Sequence, residues 1–152
     1  MKSALDVAKY YLCLVDREAG DTISNLKLQK LVYYAQAWSL VLRGEPLYDE
    51  QIQAWMHGPV VPVVYYSYRK HGSSSIPHPT DFDGIETFSS DEIEVLDEVW
   101  RAYGDLSGTA LRNLTHQETP WLKARVGLEE GDASDRPIDL QEMKEYYSQF
   151  AS

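Results

Sequence analysis

The run Asn25-Leu-Lys-Leu-Gln-Lys-Leu-Val-Tyr-Tyr-Ala-Gln-Ala-Trp-Ser-Leu-Val-Leu-Arg43 decides the fold. Leu28, Leu31, Val32, Ala35, Trp38 and Leu42 recur at three- and four-residue spacings, which places them on one face of a helix. Leu26, Tyr33, Tyr34, Ala37, Leu40 and Val41 cover much of the remaining circumference, leaving a narrow polar stripe through Gln29, Gln36 and Arg43. A helix that is apolar on nearly every side belongs inside a core. Ser24 or Asn25 can cap its start, and Gly44 can adopt the left-handed conformation that ends it. The expectation is a mainly α, single-domain helical bundle over 1–152, assembled around a buried central helix at 25–43.

Working outward, Ser3 with Asp6 predicts a capping box that opens a first helix, with Ala4, Val7, Ala8, Tyr11, Leu12 and Val15 along its buried stripe. The short link through Gly20 makes the two helices antiparallel neighbours. Beyond Gly44, the alternation of Ile52, Ala54 and Met56 against Gln51, Gln53 and Trp55 predicts a short strand at 51–56, with a helical turn as the alternative. Pro59 and Pro62 break any long strand through the valines that follow. Ile85-Glu-Thr-Phe88 is a candidate second short strand that would pair with the one at 51–56. Pro62 opens a helix to about Lys70, and residues 72–84 read as a surface loop. Ser89 with Glu92 opens a helix carrying Ile93, Leu96, Trp100 and Tyr103. Ser107, Thr119-Pro120 and Asp139 start three more, the last placing Leu140, Met143, Tyr147 and Phe150 on one face as a C-terminal extension at 127–152. About seven helices result, with no internal repeat.

A chain of 152 residues is the size of one domain and can bury about 70% of its unfolded surface. No apolar run reaches the roughly 18 to 20 residues of a membrane span, and no basic-then-apolar leader pattern opens the chain. The lone Cys13 lies among apolar neighbours and reads as an inert thiol in a reducing, cytoplasmic setting. Charge is uneven. Residues 1–80 hold 8 Lys and Arg against 7 Asp and Glu, a net +1, whereas residues 81–152 hold 6 against 17, a net −11, giving −10 overall. Such a surface repels phosphate backbones, so no direct nucleic-acid binding is expected, and it attracts a basic protein partner. The plainer reading is that the charge only maintains solubility.

Chemistry is sparse. There is no phosphate-binding glycine loop, no nucleophile elbow and no cysteine pair. His57 and His116, with Glu118 or Glu50, are the set that could converge on a metal or a water molecule. Each histidine, however, adjoins a structural punctuation mark, Gly58-Pro59 or Thr119-Pro120, where an imidazole more often ties down loop backbone. No catalytic, cofactor or metal residue is therefore assigned. Tyr65, Tyr66 and Tyr68 with Arg69 form an aromatic and cationic group of the kind enriched at protein interfaces, and are the candidate partner-facing residues.

The Asn25–Trp38 run, followed by Gly44-Glu-Pro-Leu-Tyr-Asp-Glu50 and Ile52-Gln-Ala-Trp-Met-His-Gly-Pro-Val-Val-Pro-Val-Val-Tyr65, closely resembles the Panacea domain. Leu96–Gly104 and Leu114-Thr-His-Gln-Glu-Thr-Pro-Trp-Leu-Lys-Ala-Arg125 resemble its second half, so the likeness covers about residues 3–126. This is the family of SocA-type antitoxins and of phage-associated proteins of the GepA kind. The resemblance implies a mainly helical, non-enzymatic domain that neutralises a cognate protein toxin encoded beside it. Toxins of the family include alarmone-synthetase-like enzymes, and some members deliver the toxin to a ClpXP-type protease. Self-association is a further option. Trp38, Trp55, His57, Gly58, Pro59, Thr115, His116, Pro120, Trp121 and Arg125 carry the family motifs, and a structural role is expected for them.

Overall fold

Helix α2 (Asn25–Leu42) threads the centre of the molecule, buried without a break from Leu28 to Ala37. The structure is a computed structural model describing residues 2–151, so the first and last positions of the expected domain lie outside it. The Ser24 hydroxyl accepts from the Lys27 N–H at 3.2 Å to start α2, and Gly44, at φ +76°, ends it. Around α2 lie α1 (Ala4–Leu14), α5 (Ser90–Tyr103), α6 (Gly108–Thr115) and α8 (Leu140–Ser148), with α3 (Pro62–Tyr68) and α7 (Thr119–Ala124) filling the ends. Both predicted capping boxes form, Ser3 with Asp6 on α1 and Ser89 with Glu92 on α5. Among the described residues no helix is long and apolar enough to cross a membrane.

The mainly helical class with one small sheet is as expected, but the second strand lies elsewhere. Strand β1 (Gln53–Trp55) pairs antiparallel with β2 (Gly58–Val60), in register Gln53 to Val60, Ala54 to Pro59 and Trp55 to Gly58. Residues 84–87 instead form a short helix, α4 (Gly84–Thr87), because the Asp83 carboxylate accepts from the N–H groups of Ile85 and Glu86. Pro59 does not block β2. Its partner Ala54 turns both backbone groups away from β2, its N–H to the Arg136 carbonyl at 2.8 Å and its carbonyl to Arg125 Nη1 at 2.9 Å. A missing N–H at Pro59 therefore breaks no ladder bond.

The polar stripe expected on α2 is also mostly buried. Gln29 and Gln36 are each 1% exposed. Gln29 accepts from the Val61 N–H at 2.9 Å, and Gln36 accepts from the Leu47 N–H at 2.7 Å while donating to the Tyr48 carbonyl at 2.8 Å. These amides supply the hydrogen bonds that buried loop backbone needs and fasten two connections to the central helix. On α8, Met143 and Tyr147 reach the core, but Leu140 and Phe150 stay outside it, so its buried face is narrower than the spacing predicts.

Candidate functional site

Nearly all the motif residues converge on one corner, where the β1–β2 hairpin meets α2, α6 and α7. At the hairpin turn Gly58 has φ +110°, and a Cβ there would lie 2.6 Å from Lys30 Cε and 2.8 Å from Thr115 Oγ1. Both the conformation and the space demand glycine. The glycine lets the hairpin close over Lys30, which is fully buried and donates from Nζ to the Pro59 carbonyl at 3.0 Å. Burial, reinforced by the nearby Arg112, pushes the Lys30 ammonium down to about 7. The exposed His57 accepts at Nδ1 from Arg112 Nε, 3.1 Å away, and its pKa is lowered by burial and by Arg112 and Lys30.

The α6–α7 corner grips the other side of the hairpin. Trp121 Nε1 donates to the Trp55 carbonyl at 2.8 Å. His116 stacks on Trp121 with centroids 3.9 Å apart, and Arg125 lies 5.1 Å from the same indole. The buried guanidinium of Arg125 donates to the carbonyls of Ala54 and, through Nη2, of Glu129, Glu130 and Asp132, which ties the acidic loop to the hairpin. His116 Nε2 is buried without a hydrogen-bond partner, and burial, Arg112, Lys30, His57 and Arg125 together hold its pKa down at about 4. The imidazole is thus neutral and acts as an aromatic plate.

Glu118 does not join the histidines. Its Oε1 accepts from Tyr34 and Tyr147 hydroxyls, both at 2.7 Å, inside a tyrosine cluster between α2 and α8. Burial raises its pKa, and the two hydroxyls oppose the rise. Glu50 is likewise engaged, accepting from the Ala4 N–H at the start of α1. Among the described residues no three His, Cys, Asp or Glu side chains stand together as metal ligands. The corner is built to clamp backbone, with each polar side chain directed at a carbonyl or a ring. Lys30 and Arg112 belong to it although neither was singled out as a site residue from the sequence. The available signal was that Lys30 lies three residues from Tyr33 and four from Leu26 and Tyr34, inside the apolar wrap.

The candidate partner-facing group divides. Tyr65 and Tyr66 pack edge-on against Trp55, at 4.9 and 6.2 Å between centroids, and the guanidinium of Arg69 lies 5.1 Å from the Tyr66 ring. Tyr66 is 56% exposed and forms a ledge with Arg69. Tyr68 instead turns inward and packs against the core.

The family model described as "Antitoxin SocA-like, Panacea domain" matches residues 28–122, a span that holds the central helix from Leu28 onward, the hairpin and most of the α6–α7 corner. The chain belongs to this family. A protein named Antitoxin SocA, from Caulobacter vibrioides (strain NA1000 / CB15N), is 48% identical over 54 residues, which is 36% of this chain. The chain spans only 29% of that relative's length. No solved structure gives a significant match.

Proposed function

We propose that this protein is a non-enzymatic antitoxin that acts in the cytoplasm and neutralises a toxin encoded beside it by binding that toxin directly. The observation that carries the reading is the family match over residues 28–122, which takes in the hairpin, Lys30 and Trp121 of the clamped corner. The relative named as an antitoxin supports it. In this reading the Lys30–Trp121–Arg125 corner is scaffold, because its polar groups are spent on internal backbone. Contact with the toxin falls to exposed residues, Tyr66 and Arg69 among them. Delivery to a ClpXP-type protease is the alternative outcome of the same binding.

Co-expression with the neighbouring gene tests the reading. The neighbour alone is expected to stop growth, and this protein to restore it and to co-purify with the neighbour's product. A harmless neighbour, or one that stays lethal in the presence of this protein, refutes it. Growth restored without co-purification, and only in cells with the protease, assigns the adaptor mechanism instead. Substituting Tyr66→Ala together with Arg69→Ala is expected to weaken co-purification without changing the helical circular dichroism of the free protein.

A further inference from the structure

A groove of about 800 Å³ runs between the C-terminal half of α2 and α5, and shares no lining residue with the hairpin corner. The apolar surface it offers comes from Trp38, Leu42, Tyr103 and Phe150, while Val95 and Val99 lie almost fully buried beneath it. The floor is also preset. Trp38 Nε1 donates to the Tyr103 hydroxyl at 3.0 Å, and the Tyr103 ring stacks on Tyr34 at 4.0 Å between centroids. The indole donor is thus already satisfied, so the floor asks an occupant for apolar contact. Leu42 is 52% exposed, and Phe150, at the groove's mouth, is 63% exposed. Large apolar side chains left this open on a concave surface mark a binding face more than a solvated one.

The rim is predominantly acidic, with Arg43 its one cation among the lining residues described, and that guanidinium is already paired with Glu45 and Glu92. Asp91, Glu94 and Glu98 succeed one another along the exposed edge of α5 at three- and four-residue spacing, and Glu45 stands on the α2 side. Among the described residues Asp91 and Glu94 form no ion pair, Glu98 pairs only with the exposed Arg101 on its own helix, and Glu45 pairs with Arg43. Like charges one turn apart repel, and Glu98 also sits toward the negative end of the α5 dipole. The edge therefore carries a surplus of negative charge that Arg43 and Arg101 only partly offset, and further cations brought to it would stabilise it. From Asp91 to Glu98 is seven residues, about 10 Å or two helical turns. A facing helix with Lys or Arg at positions i, i+3 or i+4, and i+7 matches that span, with its apolar stripe on the floor.

We propose that this groove receives a basic amphipathic helix presented by the toxin. The proposal rests on the antitoxin reading above and adds a second contact surface, beside the Tyr66–Arg69 ledge, and what the partner must carry there. A second copy of this chain, at net −10, would set acid against acid, and a nucleic acid would do the same.

Two measurements test it. In the first, the probe is a synthetic, fluorescently labelled helix of about 18 residues, roughly 27 Å long, with Leu along one face and Lys flanking it. Wild-type protein is expected to bind it at low salt. The variant Glu94→Lys/Glu98→Lys is expected to bind roughly tenfold or more weakly. The variant Glu129→Lys/Glu130→Lys, with the same change in net charge but remote from the groove, stays within about twofold of wild type. A probe carrying Glu in place of Lys is expected to prefer the Glu94→Lys/Glu98→Lys variant, which guards against loss through misfolding. Equal weakening by both variants, or no preference for the swapped probe, overturns the groove. In the second, the same variants are co-expressed with the neighbouring gene. If wild type and Glu94→Lys/Glu98→Lys neutralise equally well, the groove is not the docking surface although the antitoxin reading stands. If wild type itself fails, the antitoxin reading fails and removes the proposed occupant with it. Neutralisation lost in the groove variant alone supports both.

Discussion

Lys30 is the residue whose chemistry departs furthest from its surroundings. It lies fully buried with the Pro59 carbonyl as its acceptor, and no carboxylate pairs with it among the described residues. Its folded pKa of about 7 lies below the roughly 10.4 of an unfolded lysine. Between these values the unfolded chain holds a proton that the folded chain does not, so stability rises with pH across this window. Below about pH 7 both states are protonated and the slope vanishes. Cys13, whose thiol pKa burial raises, acts in the opposite sense once an unfolded thiol ionises near pH 8.5, and the buried tyrosines do so near pH 10. Unfolding free energies from urea titrations at pH 7 to 9 in a Cys13→Ala background are therefore expected to increase, by at most about 1.4 kcal/mol per pH unit. In Lys30→Met the increase should be absent. A persisting increase assigns the linkage to another group. The position of Lys30 inside the apolar wrap was legible, but its acceptor, and the burial of Gln29 and Gln36, were not. Periodicity reports which positions face inward, but it is blind to loop backbone arriving at a polar side chain from elsewhere in the chain.

At the scale of elements the central helix was legible almost to the residue, because its apolar wrap, its Ser24 cap and its Gly44 stop all agree. The same agreement holds for the capped helices α1 and α5. The sheet was legible only in part. Strand β1 showed its alternation, whereas β2 is a Gly-Pro-Val segment whose pairing depends on Arg125 and Arg136 taking the far side of Ala54. The tail was the faintest part, yet α8 completes the core. Tyr147 is 1% exposed, bonds Glu118 and Tyr33 through its hydroxyl, and meets Tyr33, Tyr34 and Trp38 ring to ring. Truncating it leaves a large cavity beside the Glu118 carboxylate. Tyr147→Ala is expected to destabilise the fold by about 3–5 kcal/mol, measured as a shift of the urea midpoint. Tyr147→Phe keeps the ring, loses only the hydroxyl bonds and should cost about 1–2 kcal/mol. If the two variants are equally destabilising, the hydroxyl network and not the packing holds α8 in place.

For the whole molecule the governing quantity is the charge of −10, concentrated in residues 81–152, which supply α5, the acidic loop and α8. Self-repulsion of this size opposes the compact state and is felt over the screening length, about 30 Å at 0.01 M salt and about 8 Å at 0.15 M. Adding salt to the free protein therefore relieves repulsion, and its thermal midpoint is expected to rise. The proposed complex responds the other way, because the attraction between an acidic groove and a basic helix is screened by the same ions. Scanning salt from about 0.01 to 0.5 M should thus raise the thermal midpoint of the free protein while weakening its association with the neighbouring gene's product, chiefly through a slower on-rate. A complex indifferent to salt would mean that apolar contact alone joins the partners, leaving the rim of Asp91, Glu94 and Glu98 without a role in binding. A free protein indifferent to salt would mean instead that its charges are too far apart to repel, and the relief offered by a cationic partner would lose its basis. The opposed slopes separate the two physical claims within one titration, since each claim fixes the sign of one of them.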